Sequence, residues 1–260
     1  MIKAILFDLD DTLIVEENSV VESFLEASLL VEQKYGVDAH HFAGTARIKI
    51  REIWYQLPTI EYARHISISS WEGLWAGFDG PQPEMHQFRS LASGYRFDAW
   101  MNALKAFSIE DEEMAKKLAI TYPAIRGRKH ILFPETINML RTLQPHYRMA
   151  IITNGVPDLQ RGKIISSGIE SFFETVVISV EVGVSKPDPR IFNVALENLG
   201  IRNKQTIMVG NNPEKDVGGA ASAGIKSVLI NRDGADAEIT HQPDFIIHDL
   251  TGLSDILKHM

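Results

Sequence analysis

Residues 3–13 read KAILFDLDDTL, a short apolar run that leads directly into acidic and turn-forming residues. A run of this length and composition is typical of a buried parallel strand, which here would end near Asp8. Periodicity alone also allows a short buried helix. A single strand cannot form a sheet, and the stretch that follows it has helical character, so its partner strands must lie further along the chain.

Five further strands are predicted in the second half of the chain, where short apolar runs alternate with helical segments. These strands are Arg148–Thr153, Thr175–Ser179, Gln205–Gly210, Lys226–Asn231 and Asp244–Ile247. The helices predicted around them are Glu135–Leu143, Asp158–Ser167, Pro189–Leu199 and Pro213–Ala223. Strict alternation of strand and helix implies right-handed crossovers, and therefore an α/β fold with a Rossmann-like, doubly wound parallel sheet.

The long stretch between the first strand and the others is predicted to be helical. Residues 19–36, SVVESFLEASLLVEQKYG, place apolar side chains at three- and four-residue spacing and end in Gly36, a residue suited to a helix C-cap. Because the first strand belongs with the later ones, this stretch is predicted to be an insertion. We expect an all-helical cap domain, residues 16–129, within an α/β core formed by residues 1–15 and 130–260.

Within the cap, the acidic stretch Glu110–Glu113 is typical of a helix N-terminus, where negative charge favours the helix dipole. Trp71, Trp75 and Phe78 follow one another at helical spacing, and we expect them to pack between helices rather than to bind substrate. The cap is expected to set the choice of substrate, but its sequence singles out no residue for that role.

Composition excludes several classes of function. The 260 residues carry a formal net charge of 26 − 34 = −8, which disfavours binding to the phosphate backbone of nucleic acid. The absence of cysteine excludes disulfides, thiolate nucleophiles and cysteine-bound metals. The N-terminal apolar run is too short for a signal peptide, and no run of about 18 apolar residues could span a bilayer. We therefore expect a cytoplasmic protein that binds neither nucleic acid nor membrane.

Two carboxylates, Asp8 and Asp10, follow the first predicted strand. In open α/β sheets ligands bind at the carboxyl ends of the strands. Two acids there can serve one reaction if one is an ionised nucleophile and the other holds a proton for the leaving group. The same residues are also compatible with a solvated acidic loop.

Further polar residues follow the next strands. The hydroxyl of Thr153 and the turn at Asn154 can donate to phosphoryl oxygens, although a strand end with an ordinary turn has the same pattern. Lys186 lies in a Lys-Pro-Asp-Pro loop that cannot be helical or central in a sheet, and its ammonium could neutralise a phosphoryl group. Asp216 is a candidate ligand for Mg²⁺, or else a first-turn acid at a helix start.

The order of these segments closely resembles the four sequence motifs of the haloacid dehalogenase (HAD) superfamily. The motifs are FDLDDTL at 7–13, TNG at 153–155, SKPDPRIF at 185–192 and GNNPEKD at 210–216. The stretch VGGAASAGIKSVLINR that follows is similar to that family as well. The resemblance covers the core, roughly half of the chain. The cap matches the C1-capped subgroup only in type, as a helical insertion between the first and second motifs.

The resemblance implies a role for each matching residue. Asp8 would be the nucleophile that forms an aspartyl-phosphate. Asp10 would be the general acid and base, and its backbone carbonyl would bind Mg²⁺. Thr153 would bind the phosphate, with Asn154 beside it, and Lys186 would neutralise charge.

The metal site departs from the family pattern at one position. Asp216 matches an acidic magnesium ligand, but many members have Asp where this chain has Asn211. An amide oxygen can bind a metal or a water molecule without supplying charge. We expect Asp8, Asp10, Asp216 and Asn211 to form a site that still binds Mg²⁺, with lower affinity.

The expected function is Mg²⁺-dependent hydrolysis of a small phosphomonoester, such as a sugar phosphate, a nucleotide or a similar metabolite. One alternative is a metal-independent 2-haloacid dehalogenase, against which Asp10 and Asp216 argue because a haloacid has no leaving oxygen to protonate. A second is a regulatory or binding protein on the same fold, for which Asn211 is the only support. These residues do not distinguish a hydrolase from a mutase.

Overall fold

A computed structural model describes residues 1–232, 234 and 241–260. The chain divides into two compact units. One consists of Met1–Val15, Ile131–Asn154 and Gln160–Met260, and is called the α/β unit below. The other consists of Glu16–His130 and Gly155–Leu159, and is called the helical unit.

The α/β unit is built on a parallel sheet with six strands in the described residues. The strands are β1 (Ala4–Phe7), β2 (Arg148–Thr153), β3 (Thr175–Ile178), β4 (Thr206–Gly210), β5 (Lys226–Ile230) and β6 (Phe245–Ile247). Their order is β3-β2-β1-β4-β5-β6, and every pairing is parallel. The predicted fold class is confirmed, and each predicted strand is present to within a residue at either end.

The strand order places a switch point beside β1. The chain runs outward from β1 to β2 and β3, then returns to pair β4 on the other side of β1. Phe7 is in register with Ile151 of β2 and with Val209 of β4. At such a point the loops after neighbouring strands separate to opposite faces, and the crevice between them is where open α/β sheets bind ligands.

Helices cover both faces of the sheet. The sequence AILF of β1 is buried on both sides, with Ile5 and Phe7 in one apolar cluster and Ala4 and Leu6 in another. The first cluster includes Leu140. The second cluster includes apolar side chains from the helices that follow β3. Burying a large apolar side chain of this kind contributes about 1.5–3 kcal/mol.

The helices that follow Ile131 in the chain are α7 (Thr136–Leu143), α8 (Pro157–Ser166), α9 (Ser179–Val182), α10 (Pro189–Leu199), α11 (Gly219–Ser222) and α12 (Leu253–Lys258). The first three residues of α8 belong to the helical unit and the rest to the α/β unit. Short 3-10 turns occupy Glu170–Phe172, Asn203–Gln205 and Leu250–Gly252. The helix predicted at Pro213–Ala223 is present, but it is not α-helical throughout. The segment begins with a π-helical turn, Pro213–Gly218, and only then continues as α11.

The helical unit consists of α1 (Glu16–Tyr35), α2 (Ala39–Trp54), α3 (Ile60–Ile66), α4 (Ser70–Gly73), α5 (Pro83–Lys105) and α6 (Glu112–Arg126). Gly36 ends α1 with φ +70°, and Asp111 caps α6 by accepting a hydrogen bond from the backbone N–H of Met114. The N-terminus predicted at Glu110–Glu113 is therefore confirmed. The unit has an aromatic interior in which Phe24 contacts Trp100.

The helical spacing of Trp71, Trp75 and Phe78 does not correspond to one helix. Of the three, Trp71 alone lies in α4, which has four residues. Phe78 adopts φ +55° and stacks on Phe88 at a centroid distance of 4.9 Å, so it is a packing residue. No helix among residues 1–232, 234 and 241–260 is long and apolar enough to cross a membrane.

Candidate active site

The loop after β1 turns sharply and brings Thr12 back to Asp8. Asp11 adopts φ +56°, a conformation that Asp tolerates better than most residues, and its N–H donates to the carbonyl of Ile14 at 2.7 Å. The hydroxyl of Thr12 then lies 3.1 Å from Oδ2 of Asp8 and 3.4 Å from Oδ1 of Asn211. The buried Thr12 therefore connects the loop after β1 to the loop after β4.

Lys186 joins two acidic side chains that lie far apart in the sequence. Its Nζ donates to Oδ1 of Asp8 at 2.5 Å and to Oδ1 of Asp216 at 2.7 Å. All three side chains are at least nine-tenths buried. Two carboxylates with one ammonium leave a net negative charge in a place with little water, so the site attracts a further cation.

The pKa values of this trio move in the directions that burial and charge dictate. Burial raises the pKa of Asp8, the ammonium of Lys186 opposes that effect, and the nearby Asp216 adds to it, so the pKa of Asp8 is raised overall. Burial alone would lower the pKa of Lys186, but Asp216 and Asp8 together raise it above its ordinary value. Lys186 is therefore a permanent positive charge at neutral pH.

Asn154 holds the loop that carries Lys186. Its Oδ1 accepts a hydrogen bond from the backbone N–H of Lys186 at 2.8 Å, and its Nδ2 donates to the carbonyl of Lys186 at 3.1 Å. After this loop, Asp188 caps α10 by accepting from the backbone N–H of Arg190, and Pro189 follows at the first helical position. The side chain of Asn154, predicted to bind phosphate, is thus occupied in positioning Lys186.

Thr153 ends β2 with a buried side chain. Its Oγ1 accepts a hydrogen bond from Nε2 of Gln160 at 2.6 Å. The same amide nitrogen donates to Oδ2 of Asp10 at 2.9 Å. Asp10 also pairs with Nζ of Lys163, at 2.9 Å from Oδ1 and 3.1 Å from Oδ2.

Gln160 and Lys163 were missed by the reasoning from sequence. The two residues lie three apart on α8, and both side chains are buried. A polar pair at that spacing after the TNG turn is the signal that could have suggested them. The sequence contains many such pairs on exposed helix faces, so the spacing alone does not single this one out.

Asp216 can contact Lys186 because the residue packed against it, Gly210, has no side chain. Asp216 lies in the π-helical turn after β4, with a side chain that is 2% exposed. Its Oδ2 accepts from the backbone N–H of Asn212 at 3.0 Å. A Cβ placed on Gly210 would lie 2.6 Å from Cβ of Asp216, far inside van der Waals contact, so only glycine leaves room for this carboxylate. Asp216 is also an acid in the first turn of this helix, as the alternative prediction held, and its Oδ1 accepts a hydrogen bond from Nζ of Lys186.

The donor set fits a hard divalent cation. Asp8 and Asp216 supply carboxylate oxygens. Asn211 supplies an amide oxygen, which accepts a hydrogen bond from the same Thr12 hydroxyl as Asp8 does. Oxygen donors of this kind, completed by water and phosphate, are what Mg²⁺ takes in proteins. No group of three or more His, Cys, Asp or Glu side chains arranged for a metal occurs in the described part of the chain. A cation here would therefore rely on two carboxylates and neutral oxygens.

Known proteins are similar to this chain over most of its length. Residues 2–224 match the family of haloacid dehalogenase-like hydrolases. A phosphoserine phosphatase of Thermus thermophilus is 34% identical over 249 residues, covering 95% of this chain and 96% of the relative. A glyceraldehyde 3-phosphate phosphatase of Methanothermobacter thermautotrophicus is 31% identical over 268 residues, covering 99% and 100%.

A solved structure shares the fold over almost the whole length. It is the HAD-hydrolase YfnB of Bacillus subtilis bound to magnesium, with a TM-score of 0.67, 20% identity and 98% of each chain covered. At that identity the likeness shows the fold alone. The sheet order, the polar residues at its switch point and the similarity to whole phosphatases lead to one conclusion: the chain belongs to the haloacid dehalogenase-like hydrolases and is a phosphatase of that family.

Proposed function

We propose that the protein hydrolyses a small phosphomonoester with the help of Mg²⁺, through a covalent aspartyl-phosphate on Asp8. One observation carries the proposal: the ammonium of Lys186 lies between the buried carboxylates of Asp8 and Asp216 at the switch point of the sheet. A buried nucleophile paired with a fixed positive charge suits a reaction that brings an anionic phosphoryl group to a carboxylate.

In the first half-reaction a carboxylate oxygen of Asp8 attacks phosphorus, and the bond from phosphorus to the leaving oxygen breaks. Asp10 gives its proton to that oxygen, so the product leaves as an alcohol. Thr12 and Lys186 hold the two oxygens of Asp8, at 3.1 Å and 2.5 Å, so the carboxylate is oriented before substrate arrives. Lys186 offsets the negative charge of the phosphoryl group.

In the second half-reaction a water molecule attacks the phosphorus of the aspartyl-phosphate. Asp10, which has lost its proton, accepts one from that water, and the bond between phosphorus and Asp8 breaks. Inorganic phosphate leaves, and Asp8 and Asp10 return to their starting states. Thr153, at the end of β2, would donate its hydroxyl to a phosphoryl oxygen.

A bound Mg²⁺ would be held by the oxygens of Asp8 and Asp216, the backbone carbonyl of Asp10 and, directly or through water, the amide oxygen of Asn211. The ion would supply positive charge that stabilises the phosphoryl oxygens as charge shifts in the transition state. A metal-independent dehalogenase would not need the net negative charge that Asp216 adds at this site, nor the acid at Asp10.

The substrate class is a small phosphorylated metabolite. Two relatives that match over nearly their whole length are named for phosphoserine and glyceraldehyde 3-phosphate, both small phosphomonoesters. The acidic balance of the chain argues against nucleic acid as substrate, since a phosphate backbone would be repelled.

The test is hydrolysis of phosphoserine, glyceraldehyde 3-phosphate, sugar phosphates, nucleoside monophosphates and p-nitrophenyl phosphate, with Mg²⁺ and with EDTA. We expect at least one to be turned over with Mg²⁺ and the activity to disappear with EDTA. Asp8→Asn, which is nearly isosteric, should abolish turnover while leaving the melting temperature close to that of the wild type. Asp255→Asn, at an exposed pair on α12, is the matched control and should keep full activity. Activity that persists in folded Asp8→Asn would show that another residue is the nucleophile.

A further inference from the structure

Helix α8 presents two buried polar side chains to Asp10, and neither belongs to the four sequence motifs. Nζ of Lys163 lies 2.9 Å from Oδ1 and 3.1 Å from Oδ2 of Asp10. Nε2 of Gln160 lies 2.9 Å from Oδ2 of the same carboxylate. Both oxygens of Asp10 are therefore held by donors from one helix.

Lys163 and Asp10 differ in how deeply their side chains are buried. The side chain of Lys163 is 1% exposed, whereas that of Asp10 is 28% exposed. Burying an ammonium costs free energy unless a carboxylate accompanies it, so the pairing with Asp10 stabilises the buried ammonium of Lys163. Asp10, in contrast, could turn towards water. In this pair the buried ammonium of Lys163 restrains the partly exposed carboxylate of Asp10.

Gln160 extends the restraint to the neighbouring strand. Its Nε2 also contacts Oγ1 of Thr153 at 2.6 Å and the carbonyl of Asn154 at 3.1 Å. Within the described residues its Oε1 is buried without a hydrogen-bond partner. Turning the amide over would place Oε1 against the carboxylate of Asp10, so charge repulsion sets its orientation. One side chain consequently ties the loop after β1 to the end of β2.

We propose that Lys163 and Gln160 are positioning residues that hold the carboxylate of Asp10 where it exchanges protons with the leaving group and with water. The inference rests on the proposed function, because it assigns partners to the acid of that mechanism. It predicts a selective defect. A displaced acid slows expulsion of a poor leaving group, which needs a proton, and barely affects a good leaving group, which does not.

The experiment compares kcat/KM for p-nitrophenyl phosphate, which has a good leaving group, with kcat/KM for an alkyl phosphate, the better of phosphoserine and glycerol 3-phosphate. For each substrate, kcat/KM reports the steps up to aspartyl-phosphate formation. Asp10→Asn should lower the alkyl value by about 10²–10⁴-fold. Lys163→Met should lower it by roughly 10-fold or more, and the aryl value by less than roughly 3-fold.

Three further variants test whether Lys163 acts through Asp10. Lys163→Arg, which keeps the charge, should recover part of the alkyl activity. In the Asp10→Asn background, Lys163→Met should add no further change in the alkyl-to-aryl ratio, because it acts through Asp10. Arg161→Met removes a cation from the same helix at an exposed pair with Glu181, and should leave both substrates unaffected.

Gln160→Leu removes the second donor while leaving the ion pair in place, so it decides the question if Lys163→Met does not fold. It should show the same selective loss on the alkyl substrate with an unchanged melting temperature. Equal losses on both substrates, or a rise in alkyl activity, in the folded variants would overturn the inference while Asp10→Asn still upholds the proposed function. A wild type without phosphatase activity would overturn the proposed function itself.

Discussion

At the scale of single residues, the charge balance of the buried trio decides how strongly a metal binds. Asp8 and Asp216 carry two negative charges, and Lys186, which contacts both, returns one positive charge. Asn211 lies beside them without adding charge. Attraction to a divalent ion depends on the number of ionised oxygens within a few ångströms, so single substitutions at these positions should change Mg²⁺ affinity in opposite directions.

Removing Asp216 should weaken Mg²⁺ severely. Asp216→Ala deletes one of two carboxylates and frees Lys186 to repel the ion, so the Mg²⁺ concentration for half-maximal activity should rise at least ~10-fold. Magnesium titration of phosphatase activity measures this change. Asp255→Ala, at an exposed acid, is the control and should titrate like the wild type. An unchanged titration curve for Asp216→Ala would mean that Asp216 is not a ligand.

Adding a carboxylate at position 211 should have the reverse effect. Asn211→Asp places a third negative charge near the ion, and we expect half-maximal activation at a roughly 2–5-fold lower Mg²⁺ concentration. Turnover at saturating Mg²⁺ need not rise, because the same charge opposes the incoming phosphate. The titration described above measures both quantities. An unchanged titration curve in this variant would place Asn211 outside the reach of the metal.

At the scale of elements, the turn after β4 depends on one glycine. Asp216 can reach Lys186 because the π-helical turn Pro213–Gly218 lowers it over Gly210, where a Cβ would overlap its carboxyl group. The loop after β3 is held in turn by Asn154, which bonds both backbone groups of Lys186. The loop after β3 and the turn after β4, rather than the strands, therefore determine the geometry of the trio.

Gly210→Ala should test the first connection. The added methyl group must displace Asp216, so we expect phosphatase activity to fall by roughly 10²-fold, as misplacement of a catalytic group by about 1 Å can cost. Overpacking should also lower stability by about 1–3 kcal/mol. Activity assays and urea unfolding measure the two effects.

Gly94→Ala is the matched control for this substitution. Gly94 lies inside α5 with open space around its Cβ position, so alanine there should raise stability by about 0.4–1 kcal/mol and leave activity unchanged. If Gly210→Ala retains wild-type activity, the turn tolerates a shifted Asp216, and its close approach to Lys186 is not required.

At the scale of the whole molecule, the raised pKa of Asp8 couples stability to pH and to metal. The ordinary pKa of this group is 3.8, and burial, opposed by Lys186 and assisted by Asp216, raises it in the folded protein. As pH rises above 3.8, the unfolded carboxyl ionises first, so the metal-free protein loses stability until pH passes the raised folded pKa. A bound cation favours the ionised carboxylate and offsets that loss.

Mg²⁺ should therefore raise the melting temperature at neutral pH and do so less at acidic pH. At ten times its Kd, a ligand of the folded state contributes about 1.4 kcal/mol, or roughly 3 °C for a chain of this size. The shift should vanish as pH falls below the raised pKa of Asp8. Thermal unfolding with Mg²⁺ and with EDTA across pH measures it, and Asp216→Ala should show little shift at any pH. A shift that grows towards acidic pH would contradict this assignment of the metal site.

The local sequence was sufficient to predict the strands and the longer helices between them. A run such as AILF in β1 is buried on both faces, and its apolar character needs no knowledge of distant residues to be recognised. Caps and turns such as Asp188–Pro189 are also local, since the residues that form them are neighbours in the chain. The exception was the segment after β4, where the conformation depends on close packing of Asp216 against Gly210.

The parallel α/β sheet and the polar residues that follow its strands could be predicted from the amino-acid sequence, because apolar runs and turn-forming residues act over a few positions. The contacts that those residues make with one another depend on the tertiary fold. The bridge from Lys186 to Asp8 spans 178 positions, and the pair of Lys163 with Asp10 spans 153. Such contacts follow from the strand order and from burial, which excludes water and strengthens each charge pair, and neither is written in any short stretch of the chain.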